Sequence, residues 1–183
     1  LQITFAEPAG TSDLPAVQTI VAGNSFYGGM FLFDRSPRTP LPLSTRSNVM
    51  LGATHREVVQ CLGTCQLNDV WWTDVCEDAA TFPQTSGPST VNDGGAKDAE
   101  DKVFQHNGGG LLEVKNLYVE NMGCMYQPGG TCGEMPARAS TFDDIVVNGA
   151  NMVTGMNGNF EDTTTVLNSY VVSESICELF EGS

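Results

Sequence analysis

Val114-Lys115-Asn116-Leu117-Tyr118-Val119 recurs in altered form along the chain, and that recurrence decides the fold. Its relatives are Ser47-Asn48-Val49-Met50-Leu51, Leu67-Asn68-Asp69-Val70-Trp71-Trp72, Phe142-Asp143-Asp144-Ile145-Val146-Val147 and Leu167-Asn168-Ser169-Tyr170-Val171-Val172. Each sets a small polar residue ahead of a β-branched or aromatic run. Taken at positions 48, 69, 116, 144 and 169, the copies lie 21, 47, 28 and 25 residues apart, the longest gap holding about two units. A repeat of this length, almost without helical pattern, predicts an all-β chain wound as a parallel β-helix, each coil stacking its strands on those of the next. A β-sandwich would also suit many short strands between glycines, but the repeat spacing favours the solenoid. Aligned polar residues such as Asn68, Asn116 and Asp143 are then expected to form ladders at the bends, with Val and Ile filling the core.

Working outward, 183 residues suffice for one well-buried domain, and no composition shift marks a cut, so residues 1–183 read as a single domain. Eight Lys and Arg against 22 Asp and Glu give a net charge of −14, which argues against nucleic acid and anionic membrane surfaces and favours cation binding. No apolar run approaches the length of a membrane span. The chain opens at Leu1 with neither Met nor a basic segment, as expected of a secreted, mature form that has lost its leader. Six cysteines, at 61, 65, 76, 124, 132 and 177, suit an oxidising compartment and three disulfides. Cys124 with Cys132 is the preferred pair, because the two bracket a Pro-Gly-Gly turn. Zinc is disfavoured, since neither His55 nor His106 stands at a ligand-like spacing from the cysteines.

Between the repeats, residues 36–47 hold three prolines and read as an exposed loop, and the glycine- and proline-rich stretch from Phe82 to Glu100 is expected to bulge from the wall. Cys124 to Cys132 reads as a second excursion. Of the adjacent tryptophans, alternation sends one inward and one outward, where it packs under a loop or stacks on a sugar ring. His106 reads as a hydrogen-bonded structural residue. Val70 to Ala80 is a strand that ends in Asp74, Glu77 and Asp78, hard oxygen donors of the kind Ca²⁺ prefers.

Three stretches carry a likeness to a known family: Ser25 to Arg35, with Phe26-Tyr27-Gly28-Gly29; Val70-Trp71-Trp72-Thr73-Asp74-Val75-Cys76-Glu77-Asp78-Ala79-Ala80; and Asp101-Lys102-Val103-Phe104-Gln105-His106-Asn107-Gly108. Together they resemble the pectate lyases of polysaccharide lyase family 3, from about residue 23 to the end. The resemblance implies a secreted, right-handed parallel β-helix that cleaves polygalacturonate, the backbone of pectin, by Ca²⁺-dependent β-elimination. It puts the Ca²⁺ ligands at Glu57, Glu77 and Asp78, and a catalytic or carboxylate-binding lysine at Lys102. Lys102, Arg56, Tyr126 and Gln127 form the implied substrate-binding set, and a monomer is expected.

The chain departs from that family in three respects. Cys124-Met125-Tyr126-Gln127 stands where a Lys-Leu-Tyr-Arg-like run is usual, so two cationic positions are neutral, and an amide has no charge to pair with a uronate. The segment between Arg35 and Gly52 is shorter and lacks an acidic stretch, and Gln60 stands where a histidine is common. Two functions follow: a working pectate lyase, or a catalytically impaired β-helix that serves as a scaffold or carbohydrate-binding protein. In a variant of the first, Arg56, Arg138 or Lys97 replaces the missing arginine.

Overall fold

The computed structural model describes residues 18–20, 31–33, 44–51 and 57–183 except 62, 76 and 86, with side chains from Val59 onward. Twelve strands run in chain order: β1 Gln18–Ile20, β2 Phe31–Phe33, β3 Ser44–Leu51, β4 Glu57–Gln60, β5 Cys65–Trp72, β6 Asp78–Thr81, β7 Pro88–His106, β8 Gly110–Pro128, β9 Arg138–Asp143, β10 Val146–Asn157, β11 Thr163–Leu167 and β12 Tyr170–Phe180. Among the described residues no α-helix occurs; a single 3₁₀ turn, Gly158–Phe160, precedes β11. Every strand pairing among the described residues is parallel, and strands pair with their counterparts in neighbouring coils, with β1, β3, β11 and β12 paired on one side. The architecture is the right-handed parallel β-helix that the repeat and the resemblance imply.

The bends keep the coils in phase. Asp69, Asp93, Asn116, Asp144 and Asn168 all take the left-handed backbone conformation, and they stack along one corner of the solenoid. Asp98, Asn121 and Gly149 do the same at a second corner. Asn and Asp enter this region more readily than other L-residues, because their short polar side chains bond locally. Here those side chains also reach between coils. Asn92 Nδ2 donates to Asn68 Oδ1 at 3.1 Å, Asn121 to Asp98 at 2.6 Å and Asn168 to Asp143 at 2.7 Å, and Asn116 donates to Asp93. Polar ladders therefore stand at the bends, but in two adjacent rows: Asn68, Asn92, Lys115 and Asp143 share one, and Asn116 falls in the next with Asp93. Two further refinements follow. The long gap hides a copy at Val91-Asn92-Asp93, and the bend of the last copy falls at Asn168, not Ser169.

Two expected loops are corrected. The stretch from Phe82 to Glu100 does not bulge from the wall, because β7 starts at Pro88 and runs without interruption to His106. Its glycines mark close approach. A Cβ on Gly94, at φ +120°, would lie 2.1 Å from the Val70 carbonyl oxygen, and one on Gly95 would meet the Trp71 ring at 2.8 Å. Likewise β8 continues through Cys124 to Pro128, so the second excursion is confined to residues 129–137.

Along the axis, the interior is an aromatic column. Trp72 meets Phe104 edge-on at 6.1 Å, and Phe104 meets Phe82 at 5.9 Å; the column continues through His106 to Tyr126 at 6.0 Å and Phe142 at 5.4 Å. The edge-to-face geometry is the one aromatic quadrupoles favour. Two cationic or ionisable side chains within this core are partnered. His106 bonds Gln84 Nε2 at 3.3 Å through Nε2 and the Tyr126 hydroxyl at 3.0 Å through Nδ1. Arg138, buried, grips both oxygens of Asp162 at 2.8 and 2.9 Å and donates to the Gly129 carbonyl at 2.7 Å, which ties β9 to the turn before β11. His106 is thus structural, as its sequence context suggested.

Burial, assisted by the Arg138 cation, holds His106 down to about 4. The unfolded chain protonates this imidazole near 6.5 whereas the folded one resists, so folding stability falls as pH drops through that interval. Urea unfolding at pH 7 and pH 4.5 should show the wild type losing about 2–3 kcal/mol more than His106→Gln does. Equal losses in the two proteins would show that His106 does not carry the linkage.

Candidate active site

One row of the ladder gathers the residues that could do chemistry. Glu57 in β4 stands opposite Asp78 in β6, Asp78 opposite Lys102 in β7, Lys102 opposite Cys124 in β8, and Cys124 opposite Met152 in β10. Consecutive members are one inter-strand spacing apart, about 4.8 Å. Positions 21–28 residues apart in sequence thereby become neighbours.

Asp78 and Lys102 are 5% and 9% exposed, and Lys102 Nζ lies 3.4 Å from Asp78 Oδ1. The Asp101 carboxylate, more exposed, accepts a second hydrogen bond from the same ammonium. Below them the Lys102 amide donates to the Glu77 carbonyl at 3.1 Å, which fixes the strand at the carboxylate turn. Burial alone would lower the Lys102 pKa, but the hydrogen bond it donates to Asp101 and the charge of Asp78 outweigh it, so the pKa is raised and Lys102 rests as an ammonium. Asp101 escaped the sequence reading. Its only signal is its place beside Lys102, and neighbours in a strand ordinarily point to opposite faces; a shift in register between Ala99 and Lys102 brings them together.

The next rung is neutral. Cys124 is buried, its thiol donating toward the Tyr126 carbonyl at 3.2 Å, and burial pushes its pKa up to about 12. Tyr126 corrects the expectation of a substrate contact: it is 1% exposed, inside the aromatic column, with its hydroxyl on His106. Gln127, half-buried, stands in register with Gln105. Arg138 cannot replace a missing arginine at the wall, because Asp162 and two backbone carbonyls hold it in the core. Lys97 faces the outer sheet, 3.5 Å from Glu120. Arg56 lies outside the described residues, and Glu57 is placed by its backbone alone.

Beside the row, at the second corner, a cleft of about 540 Å³ is lined by Asp74, Asp98, Glu100, Asn121 and Gly123. Its walls are acidic and amide-bearing. Among the described residues no three His, Cys, Asp or Glu side chains converge tightly enough to hold a metal. The donor chemistry nevertheless fits a hard divalent cation. Asp78 is a buried carboxylate already facing positive charge, Glu77 adjoins it, and the Glu57 backbone occupies the neighbouring rung.

Residues 44–183 match the family model described as pectate lyase. The chain belongs to the pectate lyase family. Probable pectate lyase D of Emericella nidulans is 34% identical over 194 residues, covering 97% of this chain and 74% of that protein. Probable pectate lyase G of the same organism is 40% identical over 140 residues, covering 75% of this chain and 54% of the relative. The chain therefore spans from about half to three quarters of these curated relatives. Two solved pectate lyases share the fold. The catalytic domain of PelI from Erwinia chrysanthemi superposes with a TM-score of 0.58 at 22% identity, over 90% of this chain and 87% of that one. Pel3 from Pectobacterium carotovorum gives 0.59 at 21% identity, over 88% and 59%.

Cys61 and Cys65 form a disulfide, whereas Cys124, Cys132 and Cys177 are free, which corrects the expected Cys124–Cys132 pair. Cys124 is inside β8 and Cys132 is exposed in the excursion, so the turn brackets them without joining them. Alkylation of the unreduced native protein, followed by peptide mass spectrometry, should label Cys132 and Cys177 and leave Cys124 unmodified until denaturant is added. Native labelling of Cys124, or a Cys124–Cys132 disulfide peptide, would contradict this arrangement.

Proposed function

We propose that this protein is a secreted, calcium-dependent pectate lyase that cleaves polygalacturonate by β-elimination, with Glu57, Glu77 and Asp78 holding Ca²⁺ and Lys102 as the catalytic residue. The observation that carries the reading is the buried Asp78–Lys102 pair, with Glu57 on the adjacent rung, in a chain of this family. Glu57, Glu77 and Asp78 would hold the Ca²⁺, which would supply positive charge to offset the uronate carboxylate and the negative charge that develops beside C5.

The chain's own residues define the remainder. In the elimination a proton leaves C5, its electrons form the C4–C5 double bond, and the glycosidic oxygen departs from C4 with a proton. Lys102 is the described cation of the row, and Asp78 and Asp101 present its ammonium at the wall. In its resting charged form it clamps a uronate carboxylate, and deprotonated it is the group that accepts the C5 proton. Cys124 and Gln127 contribute no charge, so substrate is held by fewer cations than the implied family run supplies. The disulfide Cys61–Cys65 supports secretion. The action of a single monomeric domain spanning residues 1–183 belongs to the same proposal.

A second reading draws on the neutral Cys124 rung and the locked Arg138: a β-helix that keeps its cation site and binds uronate without cleaving it. Incubation with polygalacturonate and Ca²⁺, followed by ultraviolet absorbance of the unsaturated product, separates the two. The lyase reading predicts product that vanishes with a chelator and falls by about a hundredfold or more in Lys102→Ala. Lys102→Arg retains activity if the lysine is a carboxylate clamp and loses it if the lysine is the base, because a guanidinium does not release its proton. Absence of product from the wild type at neutral and alkaline pH would leave the binding scaffold in its place.

A further inference from the structure

The outer sheet between the two bend corners carries a row of aromatic residues that the elimination does not use. Trp71 of β5 stands opposite Gly95 of β7, Gly95 opposite Tyr118 of β8, Tyr118 opposite Val146 of β10, and Val146 opposite Tyr170 of β12. Their sequence neighbours Trp72, Ala96, Val119 and Val147 are fully buried, so this row occupies the solvent side of the sheet. Trp71 and Tyr118 are half-buried, and Tyr170 is 66% exposed.

The spacing is regular. One rung separates Trp71 from Tyr118 and another separates Tyr118 from Tyr170, which sets their backbone positions about 10 Å apart across the sheet. That interval is close to the repeat of a β-1,4-linked disaccharide in an extended chain. The rings are also held in place. Trp71 Nε1 donates to Asp69 Oδ1 at 2.7 Å, and the Tyr118 hydroxyl donates to Glu120. Gly95 has no side chain to obstruct this: a Cβ there would lie 2.8 Å from Trp71 Cζ3, so the indole extends across the rung that Gly95 leaves open. Ring and glycine together give a low, pre-organised apolar surface whose ordering cost is already met.

The charges beside the row indicate its ligand. Lys97 and Glu120 lie 3.5 Å apart and neutralise each other, followed in the same column by Asn148 and Val172. On its other side the row borders the bend residues Asp69, Asp93, Asn116, Asp144 and Asn168, so in a chain of net charge −14 the aromatic strip runs between carboxylates and other hydrogen-bonding groups. Such a strip repels a polyanion. A β-linked glucosyl polymer, by contrast, has equatorial hydroxyls and presents apolar C–H faces to aromatic rings while its hydroxyls reach the border.

We propose that Trp71, Tyr118 and Tyr170 form a docking platform for an extended, uncharged β-1,4-linked hexose polymer, separate from the Asp78–Lys102 row. The platform anchors the protein on a composite polysaccharide matrix while the row engages uronate chains. This holds independently of whether the row cleaves its substrate. Depletion from solution by microcrystalline cellulose, with polygalacturonate gel beads in calcium-free buffer as the comparison, tests it. The wild type should partition onto cellulose and not onto the beads. Tyr170→Ala, a change at an exposed position whose thermal unfolding should match the wild type, should weaken partition about fivefold. Trp71→Ala, if it folds, should weaken it at least as far. A wild type that stays in solution with cellulose, Tyr170→Ala that binds as the wild type does, or stronger retention on the polygalacturonate beads would overturn the proposal.

Discussion

Every coil of this solenoid must return to the same phase before the next can hydrogen-bond to it, and the left-handed Asp and Asn bends enforce that constraint. A single non-glycine residue held at positive φ costs free energy in isolation. Here the bends at 69, 93, 116, 144 and 168 stand one above another, and inter-coil amide-to-carboxylate and amide-to-amide bonds connect the ladder. Turn geometry and strand register thus support each other. A coil that lost its bend would rotate its inward residues toward solvent, since a slip of one residue exchanges the two faces of a strand.

Phase is also what assembles the sites. Asp78 and Lys102 come from separate coils and meet because both are set by register against the same row. Burial strengthens their attraction and makes each costly to leave alone, so the wall holds the two charges together, with Asp101 adding a second carboxylate beside them. The polar core follows similar logic. Gln84, His106 and Tyr126 hydrogen-bond in series within an otherwise aromatic column, and Arg138 adds bonds to the His106 and Gly129 carbonyls where the irregular residues 129–137 begin.

The fold was legible because the repeat is a backbone requirement written in residue type: small polar residues at bends, β-branched and aromatic residues between them. What misled was glycine. Gly94 and Gly95 have the composition of a loop, yet they lie inside β7 because the Val70 backbone and the Trp71 ring leave no room for a side chain. That cause belongs to the preceding coil and is invisible to local pattern. Tyr126 shows the same limit for the site: a family-like position suggested contact with substrate, whereas the parity of β8 turns the ring into the core. The alignment of Glu57, Asp78 and Lys102 was readable from their spacing once the period was known. Asp101 was not, because it depends on a register shift within one strand.

The central claim is that the Asp78 row is a cation site built by stacking coils. Calorimetric titration of the metal-free protein with Ca²⁺ addresses it without requiring turnover. The account predicts saturable binding that weakens at least about tenfold in Asp78→Asn, with urea unfolding used to confirm that the variant remains folded. A folded Asp78→Asn protein that binds Ca²⁺ as the wild type does, or a wild type that binds none, would contradict it.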